Sequence, residues 1–201
     1  MKMLALVVIG YLIGSIPFAL VIGKVFYKTD VRQYGSGNLG GGNTGRVLGK
    51  KAGVAVMTLD ILKVALVVFL ARRFLHTEAA VASGGIAAAV GHCWPVFAKF
   101  KGGKAVATMY GFLFGLFVFV GYSPLAFFLP LFVFLLVLKI TKIISLSSIV
   151  SAVVVTGYMG WATDSAPVFL ALVVFTILIV VRHRKNIERI CKRQENKVSW
   201  M

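Results

Sequence analysis

Gly35 to Lys51 reads Gly-Ser-Gly-Asn-Leu-Gly-Gly-Gly-Asn-Thr-Gly-Arg-Val-Leu-Gly-Lys-Lys, a polar, glycine-dense stretch in a chain that is otherwise mostly hydrocarbon. Glycine takes positive φ at little steric cost and exposes backbone N–H groups closely enough to cradle an anion. Ser36, Asn38, Asn43 and Thr44 add neutral hydrogen-bonding groups, and Arg46 adds a permanently charged planar fork that suits phosphate oxygens. The chemistry this predicts is phosphate binding. The plainer alternative is a flexible interhelical loop whose basic residues face lipid headgroups. Gly35, Gly37 and Gly40 also satisfy Gly-x-Gly-x-x-Gly, but that pattern signals a dinucleotide only inside a βαβ unit, and nothing here alternates that way. Neither Gly49-Lys50 nor Gly103-Lys104 completes a Walker loop.

Two further stretches share this character: His92 to Lys104, which ends in Lys101-Gly102-Gly103-Lys104, and Arg182-His183-Arg184-Lys185-Asn186. The elements that must position them are apolar. With 201 residues, 59% hydrophobic content and a mean hydropathy of +0.93, the chain reads as an all-α, polytopic integral membrane protein with one domain, 1–201. A hydrocarbon core about 30 Å thick needs roughly 20 helical residues. On that ruler seven spans are expected in one bundle: Met3 to Gly23, Lys51 to Leu70, Ala79 to Phe97, Lys104 to Val120, Leu125 to Ile140, Leu146 to Trp161 and Val168 to Val181. Met1-Lys2 and the apolar run behind it lack a small-residue cleavage site, so the first span is read as uncleaved. The third span is rich in Ala and Gly, which let membrane helices approach closely. Asp60 and Lys63 lie one helical turn apart in the second span, and an ion pair facing the bundle interior is the expected arrangement.

The net charge of +16 sits between apolar runs, which points to topology and anionic lipid or substrate rather than to nucleic acid. With the N-terminus outside, the glycine-rich loops, Ser145 and the tail all face the cytoplasm. Only Lys2, Arg72 and Arg73 of the 22 Lys and Arg lie on the outer side, Lys63 being within a span. Positive-inside statistics alone would supply the cations, but not the Gly-Ser-Gly-Asn and Gly-Gly-Lys settings around them. A convergent anion site at the cytoplasmic surface accounts for both.

The absences narrow the chemistry. There is no Gly-x-Ser-x-Gly elbow, no acidic metal cluster, and no Cys/His set at ligand spacing, Cys93 and Cys191 standing far apart. His183 and Glu188 have the spacing of an acyltransferase His-x-x-x-x-Asp pair, but five residues on a helix is a poor match to one face. His92 reads as a helix-end hydrogen-bonding residue rather than a catalyst.

Gly35-Ser36-Gly37-Asn38-Leu39-Gly40, Asn43 with Arg46 and Leu48-Gly49-Lys50-Lys51, the run from Gly91-His92 through Pro95-Val96-Phe97 to Gly102-Gly103-Lys104-Ala105, and Arg182-His183-Arg184-x-Asn186-Ile187 together closely resemble the bacterial PlsY family. The resemblance covers nearly the whole chain. One departure is Gly41-Gly42-Asn43, where the family commonly has Gly-Ala-Thr-Asn or Gly-Thr-Thr-Asn, so a threonine hydroxyl is lost. The resemblance implies a bacterial plasma-membrane acyltransferase that moves an acyl chain from acyl phosphate to the sn-1 hydroxyl of glycerol 3-phosphate, giving lysophosphatidic acid. It implies no coenzyme A, acyl carrier protein, metal or other cofactor, and supply of the donor by an acyl-phosphate-forming partner enzyme. Lys104, Arg46, Ser36 and His183 would be the catalytic set, Lys104 and Arg46 clamping phosphate, with Gly37, Asn38, Gly40, Asn43, Gly102, Gly103 and Ser145 lining the substrate. His183 and Asn186 would orient the glycerol. The runner-up functions are a small-anion transporter and a structural headgroup-binding protein.

Overall fold

The computed structural model describes residues 1–198, and these residues form helices and connecting loops with no strand among them. Each of the seven expected apolar segments is helical, though not always with the expected limits. The first is broken. Helix α1, Lys2–Gly14, and α2, Phe18–Tyr27, are separated at Ser15-Ile16-Pro17. Proline has no N–H to donate and disfavours the α region for the residue before it. The break frees the carbonyl of Ile16, which accepts a hydrogen bond from Lys63 Nζ at 3.0 Å.

The glycine-dense stretch is not one loop. After a 3-10 turn at Val31–Gln33 capped by Asp30, its second half forms α3, Gly41–Leu48. Helix α4 runs from Lys50 to Phe74 and α5 from Glu78 to Cys93, with Thr77 accepting the Ala80 N–H as its N-cap. The fourth segment starts later than expected: α6 is Val106–Gly115 and continues as a π-helical turn to Val120. Helix α7 is Leu125–Thr141, α8 Ile144–Ala162, α9 Ala166–Arg182 and α10 Arg184–Cys191. Among the described residues, four helical stretches are long and apolar enough to cross a membrane unaided, or five if the bent pair α9–α10 is one span; Val106–Val120 and Leu125–Thr141 are apolar but shorter.

Helix α1 packs on α5, α4 on α6, α5 on α9, and α7 on α8. The α1–α5 crossing is close because Gly14 faces the backbone of Ala88 and Gly91 that of Tyr11, with no room for a Cβ at either glycine. The main core centres on Val64, Val67, Met109, Phe112, Leu116, Leu172, Phe175 and Ile179, all buried. A smaller cluster of Leu20, Val31, Leu39, Ala52, Val56 and Ala98 anchors the glycine-dense stretch. Leu4, Phe128, Phe132, Ile140, Leu170 and Ile177 point outward, as lipid-facing side chains must.

The Asp60–Lys63 expectation is met: Oδ1 and Nζ lie 2.7 Å apart and both side chains are 3% exposed. The structure adds a third member, His92, whose Nδ1 is 3.1 Å from Lys63 Nζ.

Candidate active site

Lys104 lies two residues before α6 rather than within its first turn, because Ala105 takes a left-handed conformation (φ 61°) as the N-cap. The chain therefore turns at Ala105, and Lys104 Nζ reaches across to α10, donating to Asn186 Oδ1 at 2.6 Å. The Asn186 amide donates in turn to Glu195 Oε1 at 2.5 Å. Ser145 Oγ, in the first turn of α8, donates to the same oxygen at 2.8 Å, and Arg189 Nε donates to Oε2 at 2.6 Å. Three residues, one from α8 and two from α10, thus converge on one tail carboxylate, with Lys104 one hydrogen bond behind them through Asn186. Val198 N–H donates to the Lys142 carbonyl at 2.8 Å and ties that tail back to the start of α8.

Gly102 and Gly103 are required by packing against the end of α5. A Cβ on Gly102 would meet the carbonyl of His92, and one on Gly103 would meet the His92 ring. Their own carbonyls are taken by Arg182, whose Nε donates to Gly103 O at 2.9 Å and Nη2 to Gly102 O at 3.0 Å. The Arg182 guanidinium lies over the Trp94 ring, 5.4 Å from its centre. The close backbone approach expected of these glycines is thus made to the protein itself.

His183 is buried where α9 bends into α10. Its Nδ1 donates to the Ile179 carbonyl at 2.8 Å, which leaves Nε2 as an acceptor in the neutral ring. Burial, and then the nearby Lys104 ammonium, pull its pKa down to about 4. At neutral pH it is an uncharged hydrogen-bonding group and a weak base. Glu188 faces away and pairs with Lys192 at 2.7 Å, so it is no partner of His183.

Asn43 is turned inward. Its Oδ1 accepts from Ser36 N at 2.8 Å and Ser36 Oγ at 3.2 Å, and its amide donates to Val31 O at 2.9 Å. It braces the loop, which turns through positive φ at Gly35 (59°) and Gly37 (67°). Its amide is therefore fully engaged by protein, whereas Ser36 is exposed and Asn38 half-buried at the loop's outer edge. Gly40 is the N-cap of α3 and accepts from Thr44. Arg46 projects into solvent from α3; its charge nonetheless reaches Lys104. Nothing lies within 4 Å of the position a Gly42 side chain would take, so the family threonine that is missing here would point into open space.

Positive charge dominates the electrostatics around Lys104. Burial lowers the Lys104 pKa to about 8, Arg189, Arg182 and Arg46 push the same way, and Glu195 opposes them. Burial would raise the Glu195 carboxyl, but hydrogen bonds from Asn186, Arg189 and Ser145 outweigh it and hold the group below its ordinary range. Glu195 was not singled out as a site residue by sequence reasoning. Its one signal is that it is a lone carboxylate after Glu188 in a strongly basic tail.

A family model described as glycerol-3-phosphate acyltransferase matches residues 4–193. The chain is similar to the glycerol-3-phosphate acyltransferase of Geobacillus kaustophilus, at 46% identity over 195 residues that cover 97% of this chain and 95% of the relative. It is similar to that of Bacillus subtilis at 42% identity, with 98% and 97% covered. Its backbone matches the crystal structure of PlsY, an integral membrane glycerol 3-phosphate acyltransferase, in its glycerol 3-phosphate form, with a TM-score of 0.91 and 36% identity over 99% of this chain and 96% of that one. The lysophosphatidic acid form matches with a TM-score of 0.89 and 35% identity over the same shares.

Proposed function

This chain belongs to the glycerol-3-phosphate acyltransferase family, and on that premise we propose that it transfers an acyl chain from acyl phosphate to the sn-1 hydroxyl of glycerol 3-phosphate at the cytoplasmic face of a bacterial plasma membrane. The observation that carries this reading is the half-buried Lys104 ammonium, held by Asn186 among Arg46, Arg182 and Arg189 with one carboxylate between them. Such a surplus of fixed positive charge suits a site that brings two phosphorylated substrates together.

Acyl phosphate is an activated mixed anhydride, so the protein need only align the reactants and stabilise developing charge. Lys104 and Arg46 clamp the phosphates, and Ser36, Asn38 and Ser145 supply neutral hydrogen bonds. His183 Nε2 accepts from and orients the attacking hydroxyl. The hydroxyl oxygen forms a bond to the acyl carbon, the carbon–oxygen bond to phosphate breaks, and phosphate leaves with the electron pair. A histidine with a pKa of about 4 is too weak to keep the proton, so it passes to a phosphate oxygen. A transporter would need none of this alignment.

The test uses sealed inverted membrane vesicles carrying the protein, with labelled glycerol 3-phosphate outside and palmitoyl phosphate or palmitoyl coenzyme A as donor. The expected result is labelled lysophosphatidic acid with palmitoyl phosphate alone, and none in right-side-out vesicles. Equal product from the coenzyme A ester would overturn the donor, and product in right-side-out vesicles the orientation.

The pH dependence follows from Lys104. Near pH 8 the hydrogen-bonded Glu195 carboxylate stays ionised and the buried His183 stays neutral. The clamp is a cation below about 8 and is lost above it. In the purified protein kcat/KM for glycerol 3-phosphate should therefore fall as pH rises through about 8, while kcat, read with the anion bound, should hold to higher pH. A profile of kcat/KM flat from pH 7 to 10 would remove Lys104 as the titrating clamp.

A further inference from the structure

Asp60 and Lys63 form a charged pair inside a membrane helix, and a buried ion pair is a poor stability device because desolvating both ions costs about as much as their attraction returns. The pair does not stop at itself. Lys63 Nζ lies 2.7 Å from Asp60 Oδ1 as an ion pair, donates to the Ile16 carbonyl at 3.0 Å and meets His92 Nδ1 at 3.1 Å. Because an ammonium only donates, His92 Nδ1 must accept, and in the neutral ring the hydrogen is then on Nε2. The Asp60–Lys63 pair thus fixes both the tautomer and the plane of the imidazole.

The other edge of that ring faces the glycine loop. His92 Nε2 lies where a Cβ of Gly103 would be, and the His92 carbonyl accepts the Gly103 N–H at 3.0 Å. From the opposite side Arg182 holds the Gly103 carbonyl at 2.9 Å. Gly103 is therefore gripped between the end of α5 and the end of α9, and the next residue is Lys104. A lysine side chain has four freely rotating bonds, so where its ammonium sits depends on the stance of the backbone behind it.

We infer that His92 is a positioning residue for acyl transfer: the buried Asp60–Lys63 pair fixes its imidazole, and the ring and carbonyl of His92 fix Gly103 and, through it, the Lys104 ammonium against Asn186. The inference rests on the acyltransferase reading above and names what holds its phosphate clamp in place.

A double-mutant cycle tests it, with His92→Asn, Gly103→Ala and the double variant purified in detergent and compared per folded molecule. Asparagine keeps an acceptor near the Nδ1 position for Lys63 but removes the outer half of the ring. His92→Asn should keep a near-normal unfolding temperature and lose about 10- to 100-fold in kcat/KM, as expected when a reacting group is misplaced by about an ångström. Gly103→Ala, which drives a methyl group into the ring, should lose as much or more in the wild-type background. With the ring gone, the same change should cost less than about threefold, because the space it needs is open. Equal cost of Gly103→Ala in both backgrounds, or wild-type kcat/KM in His92→Asn, overturns the inference. If His92→Asn does not fold, His92→Ala enters the same cycle with the same expectations; should neither fold, the imidazole is a folding requirement and the positioning role is discarded. Wild-type protein is run alongside: its failure to acylate glycerol 3-phosphate would sink the acyltransferase reading itself, whereas an active wild type with additive variants sinks only the role of His92.

Discussion

Lys104→Ala should remove acyl transfer while leaving a folded protein, a loss of at least about 100- to 1,000-fold in kcat/KM by analogy with deletion of a fixed donor that stabilises developing charge. Two features of its setting support this magnitude. Its ammonium is half-buried and lodged against Asn186 at 2.6 Å, so its position is set before substrate arrives. It is also distinct from Lys99 and Lys101 on the same loop, which are exposed. Lys99→Ala should be nearly silent. Lys104→Arg separates charge from geometry, because a planar fork cannot occupy the site of a compact ammonium and is permanently protonated. It should lose most activity, and what remains should show no fall in kcat/KM near pH 8. The assay is labelled lysophosphatidic acid formation by purified protein, normalised to the folded fraction from size-exclusion chromatography. Near-normal turnover in Lys104→Ala would take the phosphate clamp out of the mechanism.

The second large effect concerns stability. Removing one partner of a buried pair leaves an uncompensated charge, which in soluble proteins costs about 3–5 kcal/mol, and an unpaired charge at mid-span is disfavoured by at least about 2.5–3.5 kcal/mol on insertion scales. Asp60→Ala and Lys63→Ala should each lower folded yield and unfolding temperature, and the double alanine variant should be better folded than either. The geometry also orders the two. After Asp60→Ala the ammonium keeps the Ile16 carbonyl and His92 Nδ1, but after Lys63→Ala the Asp60 carboxylate is left facing only His92, 3.5 Å away. Lys63→Ala should therefore be the worse of the two. The measurement is folded yield by fluorescence-detected size exclusion together with a thermal ramp in detergent. A double variant as poor as the sum of the singles would mean that the two residues are not partners.

Several features were readable in one dimension because they depend only on residue type and run length. Apolar length predicted an all-helical membrane protein, though not which stretches are long enough to cross unaided, and the spacing of Asp60 and Lys63 predicted their pairing, since three residues on a helix share a face. Lys104, Asn186, Ser145 and His183 were named from loop composition and from resemblance, and the fold brings these four around one carboxylate or one ammonium. What composition could not supply was direction. Asn43 and Ser36 look alike in a polar loop, yet Asn43 points in to brace Val31 and Ser36 lies at the surface, a choice made by the left-handed turns at Gly35 and Gly37.

Lys104 meets Asn186 across 82 residues, Ser145 meets Glu195 across 50, and Arg182 grips Gly103 across 79. No local periodicity encodes such pairs, because they arise where the ends of separate helices and their connecting loops meet in space. The break at Pro17 could be expected from proline chemistry alone. That the carbonyl beside it is taken by Lys63, and that Lys63 also holds His92, follows only from α1, α4 and α5 packing side by side in a medium with no water to satisfy those groups instead.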